Sequence, residues 1–363
     1  MRLGLETVSR PLSTDIAGQL ADPTESANLY CAGRLCETLK QVVAPAWRES
    51  RARSEAYDIY LWVMRYARCG EHLKVRMHGP KPQAALWRAI LEKCWTAYVD
   101  GLPPASNGAV RLSSLKVAPI DLEDHAGVEY PDRFLLRTKY QRSHVSLGYQ
   151  PYLQDDVYTE LLTRCLGSST EVVLGLLKSG PDGRSPHKSQ QTILLKSLIA
   201  GLSALPFSPA DRDLYLLYHR DVLLRAFLRR KKVINSSSNM VSLVARFDAE
   251  IERLGDQVQQ LASQARLHWQ EGSLPPWGQP FAVWSQLLYA LTEYVSPICR
   301  TAAYQIDPFA ESPLFPPLFK AFHGLANQIG LDALNEAFAY HLLISLTGAE
   351  DLRRRPVLLR PNI

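Results

Sequence analysis

The sequence predicts an α+β protein: a small antiparallel ferredoxin-like sheet with helices, extended by a mostly helical C-terminal half. Three observations predict it. Residues 57–79 read as two strands joined by a tight connection. Residues 83–99 follow with apolar positions at helical spacing, as a helix returning over a strand pair would require. From residue 155 onward, helical periodicity dominates.

The strand pair is the most patterned stretch. Residues 57–66 are rich in aromatic and β-branched side chains, and residues 72–78 alternate strictly. Leu73, Val75 and Met77 point one way; His72, Lys74, Arg76 and His78 point the other. Gly70 supplies the turn, and Gly79-Pro80 ends the second strand. A face with two cations and two imidazoles suits a carboxylate, which arginine grips with parallel hydrogen bonds. The same pattern also fits the solvated outer face of an antiparallel sheet.

Around this pair the chain divides softly. Residues 1–26 are polar and proline-punctuated, an irregular arm. Residues 27–178 form the α+β half, opening with a helix over 27–43 on the spacing of Leu29, Ala32, Leu35, Leu39 and Val42. Short strands are predicted at 115–120, 134–136 and 140–147, and a helix over 155–178. The Gly/Pro/Ser run at 179–186 is a soft boundary within one compact unit. Residues 187–350 are the helical half, and 351–363 a basic tail.

In the helical half, Ser208-Pro209 is an N-cap followed by proline at the first helical position. The basic run at 229–232 opposes the negative end of that helix. Val244 to His268 carries a heptad-like seam, which requires a long partner within the chain or in a second subunit, giving a homodimer. A helix over 281–306 is expected to kink at Pro297, and helices over 314–329 and 331–346 to pair around Gly330. His219 reads as a satisfied buried imidazole.

The 363 residues are 46% apolar and 21% charged, ordinary for a globular chain. A net charge of +5 suits an acidic peptide better than duplex nucleic acid, which needs a denser basic stripe. The six cysteines have no CxxC spacing, so no zinc knuckle is implied, and with no GxGxxG, P-loop, HExxH or GxSxG motif no cofactor is suggested. No run is long enough to span a membrane, and residues 1–10 lack a signal-peptide core. A cytoplasmic location with free thiols is expected.

Two stretches carry a resemblance. Arg65-Tyr-Ala-Arg-Cys-Gly-Glu-His72-Leu-Lys-Val-Arg76 resembles the RY…GPHLRLRF signature of the C-terminal domain of lantibiotic dehydratases, which also occurs alone in thiopeptide biosynthesis. The segment from Phe322-His323 through Asn327 and Gly330 to Glu336 resembles the family's later HMxxNR-like run, with Gln328 where arginine is common. His323 and Asn327 share a helical face, so the amide is placed to orient the imidazole. The family's YxPExxRYGG run is weakened here: Tyr149 and Pro151 remain, Tyr152 replaces the glutamate and Asp155 the arginine. Arg137, Lys139 and Arg142 are candidate replacements for that cation.

The resemblance implies a tailoring enzyme for a leader-bearing ribosomal peptide. One branch joins two dehydroalanines in a formal 4+2 cycloaddition that builds a pyridine-type macrocycle. Another eliminates glutamate from glutamylated Ser/Thr, and a third possibility is a non-catalytic partner of a dehydratase. Loss of the arginine favours cycloaddition, because a leaving carboxylate needs cations. The expected catalytic residues are His323, Arg76, His72 and Asn327, with Arg65, Lys74, His78 and Tyr149 binding substrate. The expected partners are the precursor leader and a separate glutamylating subunit.

Overall fold

Four strands form one antiparallel sheet in a computed structural model that describes residues 24–54, 59–66, 71–103, 132–139, 156–178, 186–231, 237–254, 256–301 and 315–346. They are β1 (Thr24–Tyr30), β2 (Tyr60–Tyr66), β3 (His72–His78) and β4 (Leu135–Lys139), in the order β2-β3-β1-β4. The predicted hairpin is present: Trp62 lies opposite Arg76, and Arg65 opposite Leu73. β1 inserts beside β3, pairing Ser26 with Arg76 and Asn28 with Lys74.

β1 corrects the sequence reading, which placed residues 24–26 in an arm and 27–43 in a helix. Thr24–Tyr30 is a strand, and helix begins only at α1 (Leu35–Thr38). The helical spacing of Leu29, Ala32 and Leu35 was outcompeted by pairing with strands on both sides. Gly33, at φ +71°, turns the chain between the two elements. From α1 a π-helical turn (Leu39–Val43) leads into α2 (Ala44–Arg53). It sits just before Pro45, whose ring and missing N–H disturb the regular ladder. α2 packs on α3 (Lys81–Asp100), and α3 covers the apolar face of the sheet, with Trp87 and Leu91 near Ala27 and Leu135.

The helices that follow the sheet are α4 (Asp156–Lys178), α5 (Pro186–Ala204), α6 (Pro209–Arg230), α7 (Ser237–Ile251) and α8 (Asp256–Glu271). A 3-10 turn (Pro276–Phe281) leads to α9 (Ala282–Thr301), followed by α10 (Phe315–Ile329) and α11 (Ala333–Leu346). α6 starts at Ser208 as predicted, with a reciprocal capping box to Asp211. α9 is assigned as helix through Pro297.

The 244–268 seam is a second correction. α7 ends at Ile251, a turn follows through Arg253, and α8 is a separate helix. Gly255 falls within the apparent heptads and disfavours an unbroken helix. Phe247 and Ile251 on α7, and Ala265 and Trp269 on α8, are buried against the chain's own helices. Seven-residue spacing thus reflects two inward-facing stripes rather than one long seam.

The helices that follow the sheet meet it at the outer edge of β2. The Val63 N–H donates to Thr170 Oγ1 on α4 at 3.3 Å. Two residues on, the Arg65 N–H donates to Asn327 Oδ1 on α10 at 2.6 Å, and Asn327 Nδ2 donates back to the Arg65 carbonyl at 3.1 Å. An open strand edge is thereby closed by helix side chains. α4 and α10 also lie side by side: Gln328 accepts from Ser169 Oγ at 2.9 Å and donates to the Leu166 carbonyl at 3.2 Å. The predicted strands at 115–120 and 140–147, residues Tyr149 and Asp155, and the 351–363 tail lie outside the described residues.

Candidate active site

Strand alternation separates the hairpin's charged residues from its core, but it does not expose all of them. Arg76 is 4% exposed and Lys74 1%. The Arg76 guanidinium lies over the Trp62 indole, 4.6 Å from its centroid. Such stacking holds a cation against an apolar surface. The His72 imidazole packs on Tyr30, with centroids 4.6 Å apart. Ser26 and Asn28, their neighbours on β1, are buried as well. At the strand's end the half-buried His78 stacks on Tyr60, over which the Arg164 guanidinium from α4 also lies. Much of this face is therefore a polar interior, not the solvated exterior its pattern also allowed.

Arg65 points away from Arg76, because its register partner Leu73 belongs to the apolar set. Its Nε donates to the Gln328 carbonyl at 3.0 Å and its Nη2 to Cys36 Sγ at 3.3 Å. Gly330, at φ +86°, makes room for the guanidinium: a β-carbon there would lie 2.4 Å from Nη1. Arg65 is thus a clasp joining α1, β2 and the turn after α10. Asn327 belongs to the same clasp rather than bonding to His323.

His323 is oriented by another residue. Its Nδ1 lies 2.7 Å from Glu336 Oε2 on α11, and its ring stacks on Phe319 at 5.2 Å with planes 5° apart. The His323 side chain is 36% exposed, whereas that of Glu336 is 0%. Burial pushes the Glu336 carboxyl up from its ordinary range, and the nearby His323 pulls it back down. With Glu336 ionised, Nδ1–H donates to it and Nε2 presents a lone pair. This arrangement can accept or deliver a proton through a side chain that keeps partial exposure.

Behind this pair, His219 is fully buried and its Nδ1 lies 3.0 Å from the Tyr340 hydroxyl. Burial holds its imidazole well below the ordinary range, so it is neutral scaffolding. Sequence reading named His323 but not Glu336 as its partner. The available signal was a lone acid near the start of an apolar helix, AlaLeuAsnGluAlaPheAla.

The chain belongs to the family described as lantibiotic biosynthesis dehydratase C-term, whose model matches residues 26–347. Among solved structures it is similar to the pyridine synthase TbtD from thiomuracin biosynthesis, at a TM-score of 0.60 and 16% identity, covering 90% of this chain and 98% of that one. TsrL is similar at a TM-score of 0.52 and 13% identity, with 94% and 99% covered. The tRNA-dependent lantibiotic dehydratase MibB, from Microbispora sp. 107891, matches at a TM-score of 0.48 and 13% identity; 92% of this chain aligns with 29% of that one. No curated protein matches. Among the described residues, no helix is long and apolar enough to cross a membrane.

Proposed function

We propose that this protein tailors a leader-bearing ribosomal peptide by a formal 4+2 cycloaddition between two dehydroalanines, closing a pyridine-type macrocycle. The observation that carries this reading is the His323–Glu336 pair, a partly exposed imidazole held by a buried carboxylate. Such a pair is suited to converting a substrate amide into its enol-like tautomer, after which positioning of the two alkenes does most of the work. The sheet with its βαββαβ chain path is read as ferredoxin-like.

Elimination of glutamate is the weaker reading, because a leaving carboxylate is best gripped by the paired hydrogen bonds of an arginine, which a lysine ammonium does not supply. Arg76 is packed on Trp62, and the common family arginine is here Gln328, whose amide is engaged by Ser169 and Leu166. We assign His323 as the proton-transfer group. Asn327 and Arg65 hold its helix, and Arg76, His72, Lys74 and His78 shape the polar floor beneath the peptide. Tyr149 is retained as a substrate contact. The precursor leader is the proposed partner, with a separate glutamylating subunit acting upstream in the cytoplasm.

The test is incubation with fully dehydrated, leader-bearing linear precursor, followed by tandem mass spectrometry. A cyclised product that resists sequential fragmentation is expected, and His323→Ala should leave dehydrated linear peptide. Conversion of a glutamylated precursor to dehydrated linear peptide, with no cyclisation, would replace this reading with elimination.

A further inference from the structure

Among the described side chains of α10, Phe319, Lys320, His323 and Asn327 keep partial exposure, while the others are buried. Their spacing of three and four residues makes them one stripe. Asn327 is occupied at the β2 edge, and the Phe319 ring lies against the imidazole. Lys320 and His323 are the titratable members of the stripe. Positions three apart on a helix have β-carbons about 5–6 Å apart, so both side chains can reach one substrate group.

We propose that Lys320 is a catalytic residue that acts with His323 on a single substrate amide, its ammonium donating to the carbonyl oxygen while His323 takes the N–H proton. The inference rests on the cycloaddition reading above. In this step an O–H bond forms with the Lys320 proton, and the amide N–H bond breaks toward His323 Nε2. The N–H electron pair becomes the C=N bond, and the C=O π pair moves onto oxygen. The product is the iminol tautomer, with no change in oxidation state. Lys320 is left neutral and His323 is left as an imidazolium beside Glu336. Proton return from His323 to Lys320 through solvent resets the site.

Partial burial is consistent with that role. Desolvation lowers the Lys320 ammonium from 10.5 to about 8, so it remains charged near neutrality yet gives up its proton more readily than an exposed lysine. An arginine cannot replace it as an acid, because its guanidinium does not deprotonate.

The test compares Lys320→Met and Lys320→Arg with the wild type on dehydrated precursor. Both variants should lose about 100-fold in kcat, the low end of general acid–base contributions, while affinity for the leader-bearing peptide stays within about twofold. A kcat within about twofold of the wild type in Lys320→Met would overturn the proposal, as would full rescue by arginine. Trace acetylation with acetic anhydride, read by peptide mapping, gives a measurement independent of turnover. Saturating dehydrated precursor should protect Lys320, and absence of protection overturns its assignment whatever the wild type makes. If Lys320 is protected but the wild type forms no cyclised product, the cycloaddition reading fails and the substrate contact stands.

Discussion

Buried Glu336 lies against His323 Nδ1, and the cost and the use of its charged form are separable. Its carboxyl is raised by burial, so the penalty is absent below its unfolded value, near 4.5, and fully present above its folded one. Glu336→Gln removes that penalty while keeping an acceptor for Nδ1–H. We expect kcat to fall about 100-fold, as the imidazolium loses its counter-charge, with no fall in Tm at neutral pH. Steady-state kinetics and thermal unfolding measure the two effects. Lys320 gives the mirror case. Its folded value, about 8, lies below the unfolded 10.5, so the folded state binds fewer protons between them and stability rises with pH across that window. Lys320→Met should therefore have a higher Tm than the wild type below pH 8, and the advantage should fade by about pH 10.5. A Tm difference that is flat with pH would contradict the burial argument.

Among the elements, the edge of β2 makes the sharpest prediction. Thr170→Val removes the partner of the Val63 N–H while preserving shape, and a buried orphan donor costs about 1–3 kcal/mol. Asn327→Leu removes both bonds to Arg65 and should cost more; urea denaturation reads both losses. Gly330→Ala should also destabilise, because it forces a side chain into positive φ and against the Arg65 guanidinium. What the sequence revealed follows the same division. Alternation at His72–His78 identified a strand, and the His323/Asn327 spacing identified a helical face, because both are local patterns. β1 was missed because seven residues of mixed polarity become a strand only when β3 and β4 flank them. The partner of His323 was missed because Glu336 reaches it across a turn, and no periodicity links two helices. The burial of Lys74 and Arg76 was unreadable for a similar reason, since a pattern of charges does not say what lies above them.

For the molecule as a whole, the sheet depends on the helices that close its edge. Unfolding in urea should then be one cooperative transition, with far-UV circular dichroism and tryptophan fluorescence coincident. Tryptophans occur in both parts, Trp62 and Trp87 with the sheet and Trp269 and Trp284 with the helices, so a separate loss of either part would split the curves. The position of the His323–Glu336 pair bears on how such an enzyme diversifies. Both residues lie 13 positions apart in one helical hairpin, on either side of Gly330, whereas the hairpin strands belong to a distant stretch of chain. If His323 and Glu336 carry the proposed proton transfer, machinery inherited as one short contiguous piece can persist unchanged while the proposed peptide-facing surface drifts toward new precursors. Chimaeras that exchange residues 315–346 between relatives would show whether reactivity travels with that piece while precursor choice stays with the host.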